Sequence, residues 1–185
     1  PLGESLLAHY YFYGARELRA PNRIFDSEFY FAQLGPGAAG ANPLVHYIEQ
    51  GDLEGFIPHA LFAPVYYGSQ HPELPIKGGA RLAHYLQEGG RDGTNPHPLF
   101  QSRFYLDQCP PGTRETVPAL GHYLAEGEVH GLAPNPLFDP EFYRDTNPDL
   151  VGMASLLSHY VRFGAEEGRA PNPFFVSDFY AEEAR

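Results

Sequence analysis

The pair His-Tyr occurs five times, at His9-Tyr10, His46-Tyr47, His84-Tyr85, His122-Tyr123 and His159-Tyr160, at intervals of 37, 38, 38 and 37 residues. A second marker keeps the same beat: the aromatic pairs Phe29-Tyr30, Tyr66-Tyr67, Phe104-Tyr105, Phe142-Tyr143 and Phe179-Tyr180. Each aromatic pair follows its His-Tyr pair by 20 residues, whereas the return takes 17 or 18. Length variation is thus confined to one connection, as in a rigid unit with one tolerant surface loop. The beat predicts an array of about five like units with bounds near 1–36, 37–73, 74–111, 112–148 and 149–185.

Within a unit the apolar residues have helical spacing. Leu44, Tyr47, Ile48 and Gly51 stand at i, i+3, i+4 and i+7, and the face recurs as Leu82, Tyr85, Leu86, Gly89 and as Leu157, Tyr160, Val161, Gly164. The glycines Gly51, Gly89, Gly127 and Gly164 are read as ending this helix in a left-handed turn or as admitting a close neighbour. A lone phenylalanine (Phe25, Phe62, Phe100, Phe138, Phe175) is read as opening a second helix that carries the aromatic pair. Asn42-Pro43 and Asp139-Pro140-Glu141 read as caps followed by first-turn prolines. Pro36, Pro72, Pro110 and Pro148 stop the aromatic helix, and Pro21, Pro58, Pro96, Pro134 and Pro171 mark the corner between the two helices. Helices this short are marginal alone and must stack on neighbours. The predicted fold is therefore all-α: a solenoid-like, elongated stack of short helix pairs.

A repeated histidine raises the question of catalysis or metal binding. One His per unit, with units about 10 Å apart, does not converge on a zinc ion. His9, His46, His84, His122 and His159, with Tyr47, Tyr85, Tyr123 and Tyr160 beside them, are accordingly read as structural positions. Each ring is expected to bond to backbone or to a neighbouring carboxylate. Glu17, Glu54, Asp92 and Glu167, with His130 in the fourth copy, follow the glycine by three residues and read as turn or cap partners, since an active site needs to occur only once. No Gly-rich phosphate loop, G-x-S-x-G or H-E-x-x-H string is present, and no cofactor is implied. Asp145, Asn147 and Asp149 lack the spacing of a calcium loop.

Of 27 aromatic residues, 20 fill the four framework positions, which argues against a continuous glycan-stacking surface. Phe12 and Tyr13 lie outside that framework and are the candidates for partner or glycan contact. A net charge of −11 disfavours nucleic acid and anionic membrane surfaces. No apolar run is long enough to span a bilayer. The single Cys109 precludes an internal disulfide. The chain starts and stops inside units and reads as a piece of a larger protein.

The string "NPLFDPEFYRDTNPDLVGMASLLSHYVRFGAEEGRAPNPFF" resembles a bacterial repeat that runs aromatic pair, N-P-D, H-Y, then G-x-x-E-G-R-x-P-N-P. Gly164, Glu167, Gly168, Arg169, Pro171, Asn172 and Pro173 match it in register, while Phe56 and Thr94 replace the arginine in the degenerate copies. Such repeats accompany glycosyltransferases of surface-polysaccharide synthesis and some very large secreted proteins of the RTX type. The resemblance implies a non-catalytic, cytoplasmic scaffold that docks partners, including flanking domains of its own polypeptide, for a linked transferase. Its alternatives are a carbohydrate-binding module holding polysaccharide along the array and a spacer in a secreted adhesin.

Overall fold

The computed structural model describes residues 5–38 and 40–184. It is an all-α repeat array, and among the described residues no strand forms. The β-type contacts are isolated bridges inside four corners, Asn22 with Phe25, His59 with Phe62, His97 with Phe100 and Asn135 with Phe138.

The His-Tyr helices begin as one α-helical turn, at Leu6–His9, Pro43–His46, Ala80–His84, Ala119–His122 and Leu156–His159. Each then widens into a π-helical turn, Tyr10–Gly14, Tyr47–Gly51, Tyr85–Gly89, Tyr123–Gly127 and Tyr160–Gly164. There the N–H groups reach carbonyls five residues back, as Glu128 does to Tyr123 and Ala165 to Tyr160. The π-turn glycines have right-handed backbones, with φ of −61° at Gly51 and −58° at Gly89. The left-handed ending comes four residues later, at Gly55, Gly93, Gly131 and Gly168, with φ between 71° and 83°. Of the two roles open to the π-turn glycines, close approach is therefore the one they serve.

The aromatic helices are Ser27–Gln33, Pro64–Gln70, Ser102–Leu106, Pro140–Thr146 and Ser177–Glu183. Asp26 and Asp139 cap two of them by accepting from the backbone N–H groups of Phe29 and of Glu141 and Phe142. The lone phenylalanine does not open this helix as its spacing suggests. It sits before the cap, in the corner turn, where Phe25, Phe62 and Phe100 are fully buried.

The corner is held by a side-chain turn. The Asn22, Asn135 and Asn172 side chains accept the N–H two residues on, and Nδ1 of His59 and His97 does the same for Leu61 and Leu99. Successive corners stack through backbone bonds of 2.9–3.0 Å, in which Asp26, Ala63, Gln101 and Asp139 donate to the carbonyls of Pro58, Pro96, Pro134 and Pro171.

The core is a ladder of tyrosine pairs. Tyr30, Tyr67, Tyr105 and Tyr143 meet Tyr47, Tyr85, Tyr123 and Tyr160 edge to face at 5.5–5.8 Å, each pair within a degree of perpendicular. Each aromatic helix thus packs on the His-Tyr helix of the unit after it, across the sequence boundary between units. The stack also curves. The Arg162 guanidinium lies 4.9 Å from the Phe29 ring centroid, so the fifth His-Tyr helix touches the first aromatic helix. The chain nonetheless exposes 10849 Å², against about 8,900 Å² for a compact monomer of its mass.

Candidate functional site

The histidines that invite a chemical reading are joints between units. The buried tyrosine of each aromatic helix meets Nδ1 of the next His-Tyr helix: Tyr30 and His46 at 2.8 Å, Tyr67 and His84 at 2.6 Å, Tyr105 and His122 at 2.5 Å, Tyr143 and His159 at 2.9 Å. Burial pushes these phenols up, to about 12 at Tyr143 and higher at the other three, so each keeps its proton. In the tautomer that carries its proton on Nε2, the imidazole accepts that phenol proton at Nδ1. The principal partner is therefore a phenol of another unit, not the backbone or carboxylate expected from the sequence. Carboxylates approach only the far nitrogen, Glu88 at 3.7 Å from His84 and Glu126 at 4.0 Å from His122.

The glycine completes the joint. A Cβ on Gly51, Gly89, Gly127 or Gly164 would fall on the hydroxyl of Tyr30, Tyr67, Tyr105 or Tyr143. His, Tyr and Gly at that spacing thus form one socket for a tyrosine delivered by the preceding unit. The fixed separation of that tyrosine from its histidine, 16 or 17 residues, was the signal available in the sequence.

The residue after the socket glycine was missed by sequence reasoning. In three units this position, or a residue standing in for it, makes a buried polar contact with the start of the next His-Tyr helix. Buried Asp52 pairs with Arg81 at the start of the third helix, Nη1 to Oδ1 at 3.5 Å. Buried Glu128 accepts from the backbone N–H of Leu156 at the start of the fifth. Where Gly90 offers no side chain, the Tyr85 hydroxyl accepts from Leu120 N–H at 3.1 Å. Burial raises both carboxyls above their ordinary range, against the opposing pull of Arg81 on Asp52 and of the Leu156 N–H on Glu128.

The motif residues of the last unit also find partners. Arg169 donates to Asn147 at 2.8 Å, to both Asp149 oxygens at 2.8 and 2.9 Å, and to Glu167 at 2.6 Å, tying the N-P-D loop to the E-G-R turn. In the first unit Arg19 makes the equivalent bond to Glu17 at 2.5 Å. Where Phe56 and Thr94 replace the arginine, Phe56 packs edge-on against His46, and Thr94 contacts His71, whose ring lies 4.6 Å from that of His84. His130 donates to its own helix, at the Glu126 carbonyl. Among the described residues no three His, Cys, Asp or Glu side chains gather as a metal site, and no helix is long and apolar enough to cross a membrane.

The socket of the first unit receives no tyrosine among the described residues. His9 is exposed, with its ring 5.7 Å from that of Tyr13. Among the described residues no tyrosine hydroxyl lies against Gly14, and the Tyr10 hydroxyl is buried without a hydrogen-bond partner. Around this socket Leu6, Leu7, Tyr11, Phe12 and Tyr13 are between 53% and 89% exposed, both sequence-predicted contact residues among them. The last aromatic helix presents the complementary half: Phe179 and Tyr180 are 63% and 59% exposed. No protein-family model, curated protein or solved structure matches the chain.

Proposed function

We propose that this chain is a non-catalytic docking scaffold whose two end faces receive helices built like its own. The observation that carries the reading is a pair of half-joints without a counterpart among the described residues: the His9–Gly14 socket and the exposed Tyr180. The same joint is made four times inside the array, which defines what each face fits: a tyrosine-bearing helix at the first, a His-Tyr-Gly helix at the second. Apolar patches of this extent on a soluble surface mark interaction sites. On the sequence resemblance, the array scaffolds or docks partners for a linked glycosyltransferase of bacterial surface-polysaccharide synthesis and acts in the cytoplasm.

Light scattering of the purified chain over a range of concentrations tests the docking. Complementary ends predict head-to-tail association, which Tyr180→Ala and Phe12→Ser should each weaken without lowering the melting temperature. A chain that stays monomeric at millimolar concentration would remove the end-face reading. The transferase assignment falls if the gene encodes no such domain beside these units.

A further inference from the structure

Residues present in every unit build the fold, whereas departures from the repeat that converge on one cavity have no such duty. Three departures converge. Arg23 stands where the other corners have Ala60, Pro98, Pro136 and Pro173. Arg162 stands where the other His-Tyr helices have Phe12, Glu49, Gln87 and Ala125, and Ser158 where they have Ala8, Val45, Ala83 and Gly121. All three line a cleft of about 600 Å³ between the first corner and the fifth His-Tyr helix, closed by the curvature of the stack.

The cleft is rich in donors. Neither arginine forms an ion pair among the described residues. The Arg162 guanidinium carbon lies over the Phe29 ring at 4.9 Å and over the Phe163 ring at 4.8 Å, cation–π contacts that do not use its N–H groups as hydrogen-bond donors. The Ser158 hydroxyl is buried without a hydrogen-bond partner among the described residues. His59 and His159 also line the cleft; His59 accepts from Leu61 N–H at Nδ1, which leaves its Nε2–H as a donor, and the Nδ1 of His159 is taken by Tyr143, so that its Nε2 is the nitrogen left for a ligand. Burial holds both imidazoles below their ordinary value and keeps them neutral near pH 7. One carboxylate, Asp26, shares the lining, with its Oδ1 already engaged by Phe29 N–H.

Two guanidinium forks in a chain of net charge −11 select an oxyanion, and their planar geometry favours a carboxylate. The hydroxyl and imidazole donors suit ring hydroxyls, and the half-exposed ring of Phe163 suits the C–H face of a sugar. The volume falls in the range of small-ligand pockets. We propose that this cleft binds a carboxylate-bearing sugar of the uronic-acid type, its carboxylate on Arg23 and Arg162 and its hydroxyls on Ser158 and the imidazole N–H groups. The site stands apart from the end faces and does not depend on their docking role.

Calorimetric titration of the intact chain with D-glucuronate, D-glucose and inorganic phosphate tests the assignment. Glucuronate is expected to bind saturably at one site, with glucose about tenfold weaker or more. Arg23 is exposed and outside the core, so Arg23→Ala should weaken glucuronate by about tenfold with an unchanged melting temperature. Ser158→Val, which restores the residue type of the second unit, should cause a smaller loss. Phosphate binding as tightly as glucuronate would overturn the sugar assignment. Absence of saturable glucuronate binding, or an Arg23→Ala chain that binds as wild type does, would overturn the site itself.

Discussion

The Tyr67 hydroxyl lies 2.6 Å from Nδ1 of His84 and occupies the space that a side chain on Gly89 would need. One phenol thereby ties an aromatic helix to the helix of the next unit and sets the identity of two residues on it. Gly89→Ala should push that hydroxyl off its partner, with a destabilisation of about 1–3 kcal/mol from overpacking alone. Gly121→Ala is the control. A Cβ there meets atoms only at 3.8–4.0 Å, so the gain in helix propensity should leave stability unchanged or raised by up to about 1 kcal/mol. Denaturant melts of the two variants check the difference, and equal effects would show that the socket does not require glycine.

Deleting the phenol oxygen tests the bond itself. Tyr67→Phe leaves the His84 nitrogen without its donor, at a cost of about 1–3 kcal/mol. His84→Ala should cost a similar amount, since it strands the Tyr67 hydroxyl instead. The double variant should lose less than the sum, with a coupling of at least about 0.5 kcal/mol. Strict additivity would mean that the two groups are neighbours without being partners.

The sequence carried the architecture because the joint is periodic. His84, Tyr85 and Gly89 recur with their spacing intact, and the caps at Asn42-Pro43 and Asp139-Pro140 follow local backbone chemistry. The partner of His84 was hidden because Tyr67 lies 17 residues away in the preceding unit, and helical periodicity reports only on neighbours within one helix. Phe25 was misplaced for a related reason: its four-residue offset from the aromatic pair mimics a helical face, while Asp26 between them starts the helix. The corner histidines were legible only by comparing units, since His59 and His97 stand where Asn22, Asn135 and Asn172 stand elsewhere. The curvature that places Arg162 against Phe29 accumulates over several unit-to-unit contacts and has no local signature.

Those two corner histidines should set the acid limit of the fold. Burial holds both well below the ordinary imidazole value of 6.5, at about 4; at His59 the nearby Asp26 opposes the shift and Arg162 adds to it. Between these values the unfolded chain binds more protons than the folded one, so stability falls on acidification from about pH 6.5 towards 4. His59→Asn and His97→Asn substitute the residue that other corners use. The amide introduced by His97→Asn would also reach the Leu61 carbonyl as a donor, in the way that Asn135 donates to Leu99. The double variant should keep its neutral-pH stability and show a flatter acid limb in chemical melts from pH 4 to 7. An unchanged limb would place the acid sensitivity elsewhere.

Glu128 should act with the opposite sign. It accepts from the Leu156 N–H at the buried start of the fifth His-Tyr helix, and its carboxyl sits above the ordinary range because it is buried. A raised folded value means that the native chain holds this proton more tightly than the unfolded one. Stability from this site is therefore highest in acid and declines as pH rises from the ordinary carboxylate value through the raised one. Glu128→Gln keeps an oxygen for Leu156 while removing the buried charge, so it should match wild type in acid and equal or exceed it at pH 8. Glu128→Ala leaves the Leu156 N–H unmet and should cost about 1–3 kcal/mol at either pH. If Glu128→Gln were destabilised as much as Glu128→Ala at pH 8, the helix start would need the carboxylate charge, and a neutral acceptor would not suffice to hold the fourth and fifth units together.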